Sequence, residues 1–363
     1  LVPLNKNEGI MAVSVTTLML VSVVLLFNHI LVEIDGAYYT GQCTYGDMNM
    51  HLGFISSIAR QGMFPPTYSI MAGEPLNYPF LCDSISSSMM LVGASLRCAY
   101  IAPMIFAFMW VYTGCWYIAE AILERVGRVW LAFTLFFLDG GFGIIYFLDN
   151  LKGEDKSNFT RIFTAFYETP TNYVNSDRYV LAANGSDFVA VKGYSNIRWT
   201  NIIADMLLPQ RATLFGWMCL FAVLYLLYMA VFKDKKQYFI IAGIMGGLLP
   251  MIHTHSYFAL GLIAICWIIY SCVKKRFNKE IIMSWLSFGA PALALSVPQL
   301  LKWTFNAVGE SFVRYTFNWV NSDGTDNWLW FWVKNVGLAF ILLPTAFIHA
   351  DREKKFMYSG ALL

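Results

Sequence analysis

Asp47 and His51, in the stretch TYGDMNMHLGF, are four residues apart. That spacing puts two side chains on one face of a helix. A carboxylate and an imidazole so placed can move a proton or offer two ligands to a cation. The same residues also suit an N-cap at Asp47 with His51 merely exposed. Met50 leaves no Glu or Gln to complete a capping box, and nothing local decides between the two readings. A second pair, His253 and His255, stands in HTHS. On a regular helix these two diverge by about 200°, whereas in a loop between short helices they converge on one metal or one phosphate. The alternative is a turn whose polar residues satisfy freed backbone groups. Joined to Asp47 and His51, the two histidines suit a divalent metal ion.

Gln210 and Arg211 open an apolar segment in PQRATLFGW. The guanidinium there either snorkels to an interface or clasps a phosphate with its fork. Arg60, Arg97, Arg198 and Arg314 are weaker candidates of the same kind. Asp139 lies inside an apolar stretch, where a carboxylate must face protein or a cavity.

These residues hang on a very apolar chain. Hydrophobic residues make up 58% of it and charged residues 13%, which excludes an ordinary soluble domain and points to an all-α polytopic membrane protein. Spans are expected near Ile10–Ile34, Ser95–Leu123, Val129–Leu148, Arg211–Phe232, Tyr238–Ile252, Tyr257–Val273, Ile281–Val297 and Trp328–Ile348, a single transmembrane domain of about eight or nine helices over residues 1–363. The chain stops inside another apolar run, FMYSGALL, which suggests that it is incomplete at its C-terminus. Lys6, ERVGR, KDKK, KKRFNK and DREKK then fall on one side, the positive-inside pattern of a cytoplasmic N-terminus. No cleavage site follows the first span, so it reads as an anchor.

The opposite, exoplasmic side carries three long segments, Asp35–Ala94, Asp149–Gln210 and Gln299–Asn327. Long connectors between spans usually carry function. The two short spans meeting at HTHS would hold His253 and His255 in a recess. Cys43 and Cys82 share the first of these segments, as a disulfide or as two thiols. GGFG at 140–143 suggests helix packing or a break. Asn158 and Asn184 head glycosylation sequons. There is no P-loop, no GxGxxG after a strand, no GxSxG, and no feature calling for nucleic acid.

Residues 46–93, GDMNMHLGFISSIARQGMFPPTYSIMAGEPLNYPFLCDSISSSMMLVG, resemble the first exoplasmic loop of the GT-C superfamily of membrane glycosyltransferases. The matching positions are Asp47, the helix to Arg60, Gly62 to Pro66, Gly73 to Pro79, and Gly93. Met48 follows Asp47, so the acidic pair common in that family is missing. The resemblance implies a GT-C-like bundle in the plasma membrane of a prokaryote, serving its cell envelope. It also implies inverting transfer of a sugar from a polyprenyl-phosphate donor to a glycan, lipid or protein acceptor. Asp47 would be the general base. Arg211, Gln210, Tyr78 and Arg60 would bind substrate or phosphate, and His51, His253 and His255 would hold a divalent metal if one is used. The competing reading is a transporter or flippase of lipid-linked or small polar substrates, for which Asp139 and Glu120 speak.

Overall fold

The computed structural model describes residues 5–41, 44–71, 73–143, 178–181, 188–191, 201–275, 277–305, 317, 327–351 and 355. Helices dominate: α1 (Lys6–His29), α2 (Tyr45–Gln61), α3 (Leu81–Leu91), α4 (Leu96–Leu123), α5 (Val126–Leu138), α6 (Arg211–Phe232), α7 (Tyr238–Gly247), α8 (Pro250–Lys275), α9 (Lys279–Trp303), α10 (Trp328–Val336) and α11 (Leu338–His349). Two short antiparallel ribbons depart from the all-α expectation. Val32–Ile34 (β1) pairs with Ala37–Tyr39 (β2), and Arg178–Leu181 (β3) with Phe188–Val191 (β4).

Among the described residues five helices, α1, α4, α6, α8 and α9, are long and apolar enough to cross a membrane. A sixth span results if α10 and α11 are taken together across their 105° bend. The protein is therefore membrane-embedded and mostly helical, with fewer spans among the described residues than the eight or nine expected.

The shortfall has local causes. α5 has 13 residues, about 20 Å at 1.5 Å per residue, against roughly 30 Å of hydrocarbon. Asp139 closes it: its Oδ1 accepts the amides of Gly140 (2.8 Å) and Gly141 (3.3 Å). Gly141 then takes a φ of +64°, and a Cβ there would lie 2.5 Å from the carbonyl oxygen of Asn335. GGFG is thus both a helix break and a close packing point. Its partner Gly337, at φ +71°, splits the expected Trp328–Ile348 span into α10 and α11.

The two short helices expected to meet at HTHS are drawn differently. α7 ends at Gly247, and α8 runs from Pro250 straight through HTHS to Lys275. Only His253 leaves helical geometry, at φ −160° and ψ 101°. Gly247 ends α7 because it packs on α9, where a Cβ would sit 2.8 Å from the carbonyl oxygen of Ala292.

The described chain divides into two compact units, Leu1–Phe133 with Met206–Phe312 and Ala350–Leu363, and Thr134–Asp205 with Val313–His349. In the first, Val223 and Leu227 of α6, Phe239 and Ala242 of α7, Leu260 and Trp267 of α8, and Trp285 and Phe288 of α9 share one apolar core. α1 runs antiparallel to α4: Ser22 meets Tyr112 near the middle, and Arg97 donates to the carbonyl of Phe27 at one end. At the other end Lys233 pairs with Glu124 at 3.3 Å, and Lys236 pairs with Glu280. Exposed pairs like these contribute roughly 0–1 kcal/mol each. Their information is positional, since they bring three short connectors together. Chain direction then puts α2 and α3 at the opposite end.

Candidate functional site

α2 buries Met48, His51, Phe54 and Ile55, a 3–4 residue stripe that takes His51 into the packed face. The expected stripe was Met48, Leu52, Ile55 and Ala59 with the polar pair turned away; Leu52 is instead only half-buried. Gly62 closes α2 in the left-handed region at φ +57°. The Gln61 side chain then brackets Thr67, donating to its carbonyl (3.1 Å) and accepting its amide (2.9 Å). The chain folds back through Leu76, whose amide bonds the carbonyl of Pro66. Phe54, Leu76, Phe80 and Met251 form a second apolar core that seats this segment on the start of α8.

α3 presents Cys82, Asp83, Ser86 and Ser87 inward, all buried. Small hydroxyl side chains allow close approach and bond neighbouring carbonyls. Ser86 donates to Ala99 of α4 (2.6 Å), and Ser87 donates to Ile55 of α2 (2.8 Å). Asp83 sits between them with no solvent contact. Its Oδ2 lies 2.9 Å from Nδ1 of His51, and its Oδ1 lies 3.4 Å from Nε of Arg211.

Arg211 is 0% exposed, which corrects the snorkelling reading of it. Nη1 donates to the carbonyl of Tyr100 (2.7 Å), and Nη2 donates to the carbonyl of Cys82 (3.0 Å) and to Oγ of Ser86. The ring of Tyr100 lies 4.5 Å from Cζ and that of Phe215 5.1 Å. The guanidinium does not snorkel, and its Nε faces Asp83 without a hydrogen bond. It is an internal cation that compensates Asp83 and joins α6 to α3 and α4.

Asp47 is half-buried in the first turn of α2, and Thr44, not Asp47, is the N-cap residue. The Asp47 carboxylate is instead gripped from across the bundle: Nε2 of Gln210 donates to its Oδ2 at 2.6 Å. Gln210 caps α6, so the carboxylate also lies near that helix's positive end. Tyr78 stands beside it, edge-on to His51 at 6.0 Å. Burial foremost, then the neighbouring Cys82, Asp47 and Asp83, raises its phenol above the ordinary range, so it remains an O–H donor. Arg60 is exposed in the last turn of α2.

The histidine pair has its own contacts. His253 contacts Ser256 through Nδ1 (2.8 Å) and Thr213 through Nε2 (3.3 Å). His255 is exposed, its ring 5.3 Å from that of His253. Thus Asp47, Gln210 and Tyr78 come together beside His51, Asp83 and Arg211, while His253 sits at the kink in α8. Cys82 is a buried free thiol, the second of the two alternatives for it; Cys43, Arg198, Arg314, Asn158 and Asn184 lie outside the described residues.

Among the described residues the group whose ligand atoms lie close enough to share an ion is His51, Cys82 and Asp83, within 4.8 Å of one another. It does not suit a divalent ion. The Arg211 guanidinium already faces the carboxylate, and a second cation beside it would be repelled. The Nε2 of His51 is buried without a hydrogen-bond partner.

Sequence reasoning missed Asp83. Its signal was an acidic residue inside the short apolar, serine-rich run LCDSISSSMML, where an ionisable group needs a buried partner. Comparison of the chain with protein-family models, with curated proteins and with solved structures finds no match to any of them.

Proposed function

We propose that the protein is a membrane glycosyltransferase that moves a sugar from a polyprenyl-phosphate donor to an acceptor hydroxyl, with Asp47 as general base. One observation carries this reading: a half-buried carboxylate is held in place by the Gln210 amide at 2.6 Å, at the end of an apolar helical bundle. A carboxylate so oriented can take the acceptor proton while the acceptor oxygen attacks the anomeric carbon. The sugar–phosphate bond then breaks with inversion, and the polyprenyl phosphate leaves with the electron pair. Base catalysis of this kind contributes roughly 10²–10⁴-fold.

The remaining residues take positioning roles. Gln210 orients Asp47, while His51, Asp83 and Arg211 fix the helix that carries it. Tyr78, retaining its proton, donates to a donor or acceptor oxygen. The acceptor is a glycan, lipid or protein hydroxyl. The positive-inside rule places the lysine-rich connectors in the cytoplasm and the Asp47 end outside a prokaryotic plasma membrane. Transport has less to stand on, because the Asp139 carboxylate caps a helix break.

The test is sugar transfer from a radiolabelled polyprenyl-phosphate donor in proteoliposomes. Asp47→Asn should lose at least ~10²-fold of the rate while eluting as folded protein, and Gln210→Ala should lose less. Wild-type transfer by Asp47→Asn would falsify the assignment.

A further inference from the structure

A groove of about 240 Å³ runs between α1 and α4. Phe27, Ile101, Ala102 and Ile105 form its walls, with Ser95 and Arg97 at its mouth. On α4 the lining positions 98, 101, 102 and 105 recur every three to four residues, a single stripe along the helix. The groove therefore runs along the start of α4, with Phe27 of α1 as its facing wall. Its surroundings are outward-facing apolar side chains, with Val24 57%, Phe27 46% and Phe106 54% exposed.

Arg97 is out of place in such a wall. Nη2 donates to the carbonyl of Phe27 at 2.9 Å, and Cζ lies 5.4 Å from the Phe27 ring. Nε is buried with no hydrogen-bond partner. Among the described residues no carboxylate pairs with this guanidinium, unlike that of Arg211. A cation held at the edge of hydrocarbon with an unmet N–H is costly unless an anion completes it. The N-terminus of α4, capped by Ser95, adds partial positive charge at the same point. An anion that arrives already joined to an apolar chain satisfies both halves of the site.

We propose that this groove binds the phosphate end of an anionic membrane lipid. The phosphate sits on Arg97 and the first part of the chain lies along Phe27, Ile101, Ala102 and Ile105. The site uses none of the Asp47 or Arg211 network and stands apart from sugar transfer. A phosphate-monoester lipid supplies this chemistry, whether its tail is diacylglycerol or polyprenyl.

The test is native mass spectrometry of the full chain in uncharged detergent with phosphatidic acid, a polyprenyl phosphate, phosphatidylcholine or inorganic phosphate added. Saturable binding of a phosphate-monoester lipid is expected, and the preferred one identifies the source. Arg97→Gln should weaken it about ten-fold, the loss of one charge-assisted hydrogen bond. Ala102→Trp, which fills the groove and leaves the charge, should weaken it similarly. Arg97→Lys should retain most of the preference, separating loss of charge from loss of fold. Equal binding of phosphatidylcholine overturns the proposal. So does unchanged binding in either Arg97→Gln or Ala102→Trp, or inorganic phosphate binding as tightly as lipid. None of these outcomes bears on Asp47.

Discussion

Arg211 and Asp83 compensate one another in a place that water does not reach, so the consequences of changing them are asymmetric. Removing one partner of a buried ion pair strands the other, at a cost of about 3–5 kcal/mol, whereas replacing both with apolar groups can be nearly neutral. Arg211→Leu should therefore lower the thermal unfolding midpoint in detergent sharply. The double variant Arg211→Leu/Asp83→Leu should recover part of that loss. If the two losses simply add, the pair is not coupled as drawn. Cys82, beside Asp83, offers a second check. Burial, and then the Asp83 charge, holds its thiol in the protonated form, and the thiolate is the reactive species. N-ethylmaleimide at neutral pH should modify exposed Cys98 and spare Cys82 until the protein unfolds.

At the scale of elements, the spans are shortened where glycine lets backbones touch. Gly141 has a positive φ and a backbone carbonyl 2.5 Å from where a Cβ would stand. Gly141→Ala combines strain in the left-handed region with a collision that the Asn335 backbone must relieve. A loss of order 1–3 kcal/mol is expected, read as a lower unfolding midpoint or less folded protein. The α8 kink is organised differently. His253 leaves helical geometry, and Thr213 and Ser256 hold its two ring nitrogens. Gly216 lies underneath, where a Cβ would come 2.5 Å from Cβ of His253. His253 thus sits at the distortion, with both ring nitrogens in contact with neighbouring hydroxyls.

For the whole molecule, the ion pairs linking Glu124 to Lys233 and Lys236 to Glu280 put the lysine-rich connectors at one end. The ribbon β1–β2, with α2 and α3, lies at the other. If basic connectors face the cytoplasm, Tyr39→Cys in β2 should react with a membrane-impermeant maleimide on intact cells. Lys235→Cys should react only after permeabilisation. The reverse pattern would invert the proposed orientation and put the Asp47 end inside.

Amino-acid order alone determined the membrane class, the starts of α4 and α6, the break at GGFG, and Asp47 as a carboxylate at the start of an amphipathic helix. Each depends on hydropathy or on neighbours a few residues apart, which are visible along the chain. Span number was overestimated because hydropathy does not show that Gly141, Gly247 and Gly337 meet foreign backbone. The partners of Asp47, His51 and Arg211 were illegible for a related reason. Gln210 reaches Asp47 across 163 positions, and Arg211 reaches Cys82 across 129. Only tertiary packing selects among the polar groups that distant helices bring together. That selection made Arg211 an internal cation and brought in Asp83. Low dielectric is the physical reason: a buried charge must be met by whichever opposite charge the fold supplies, and linear order does not say which that is.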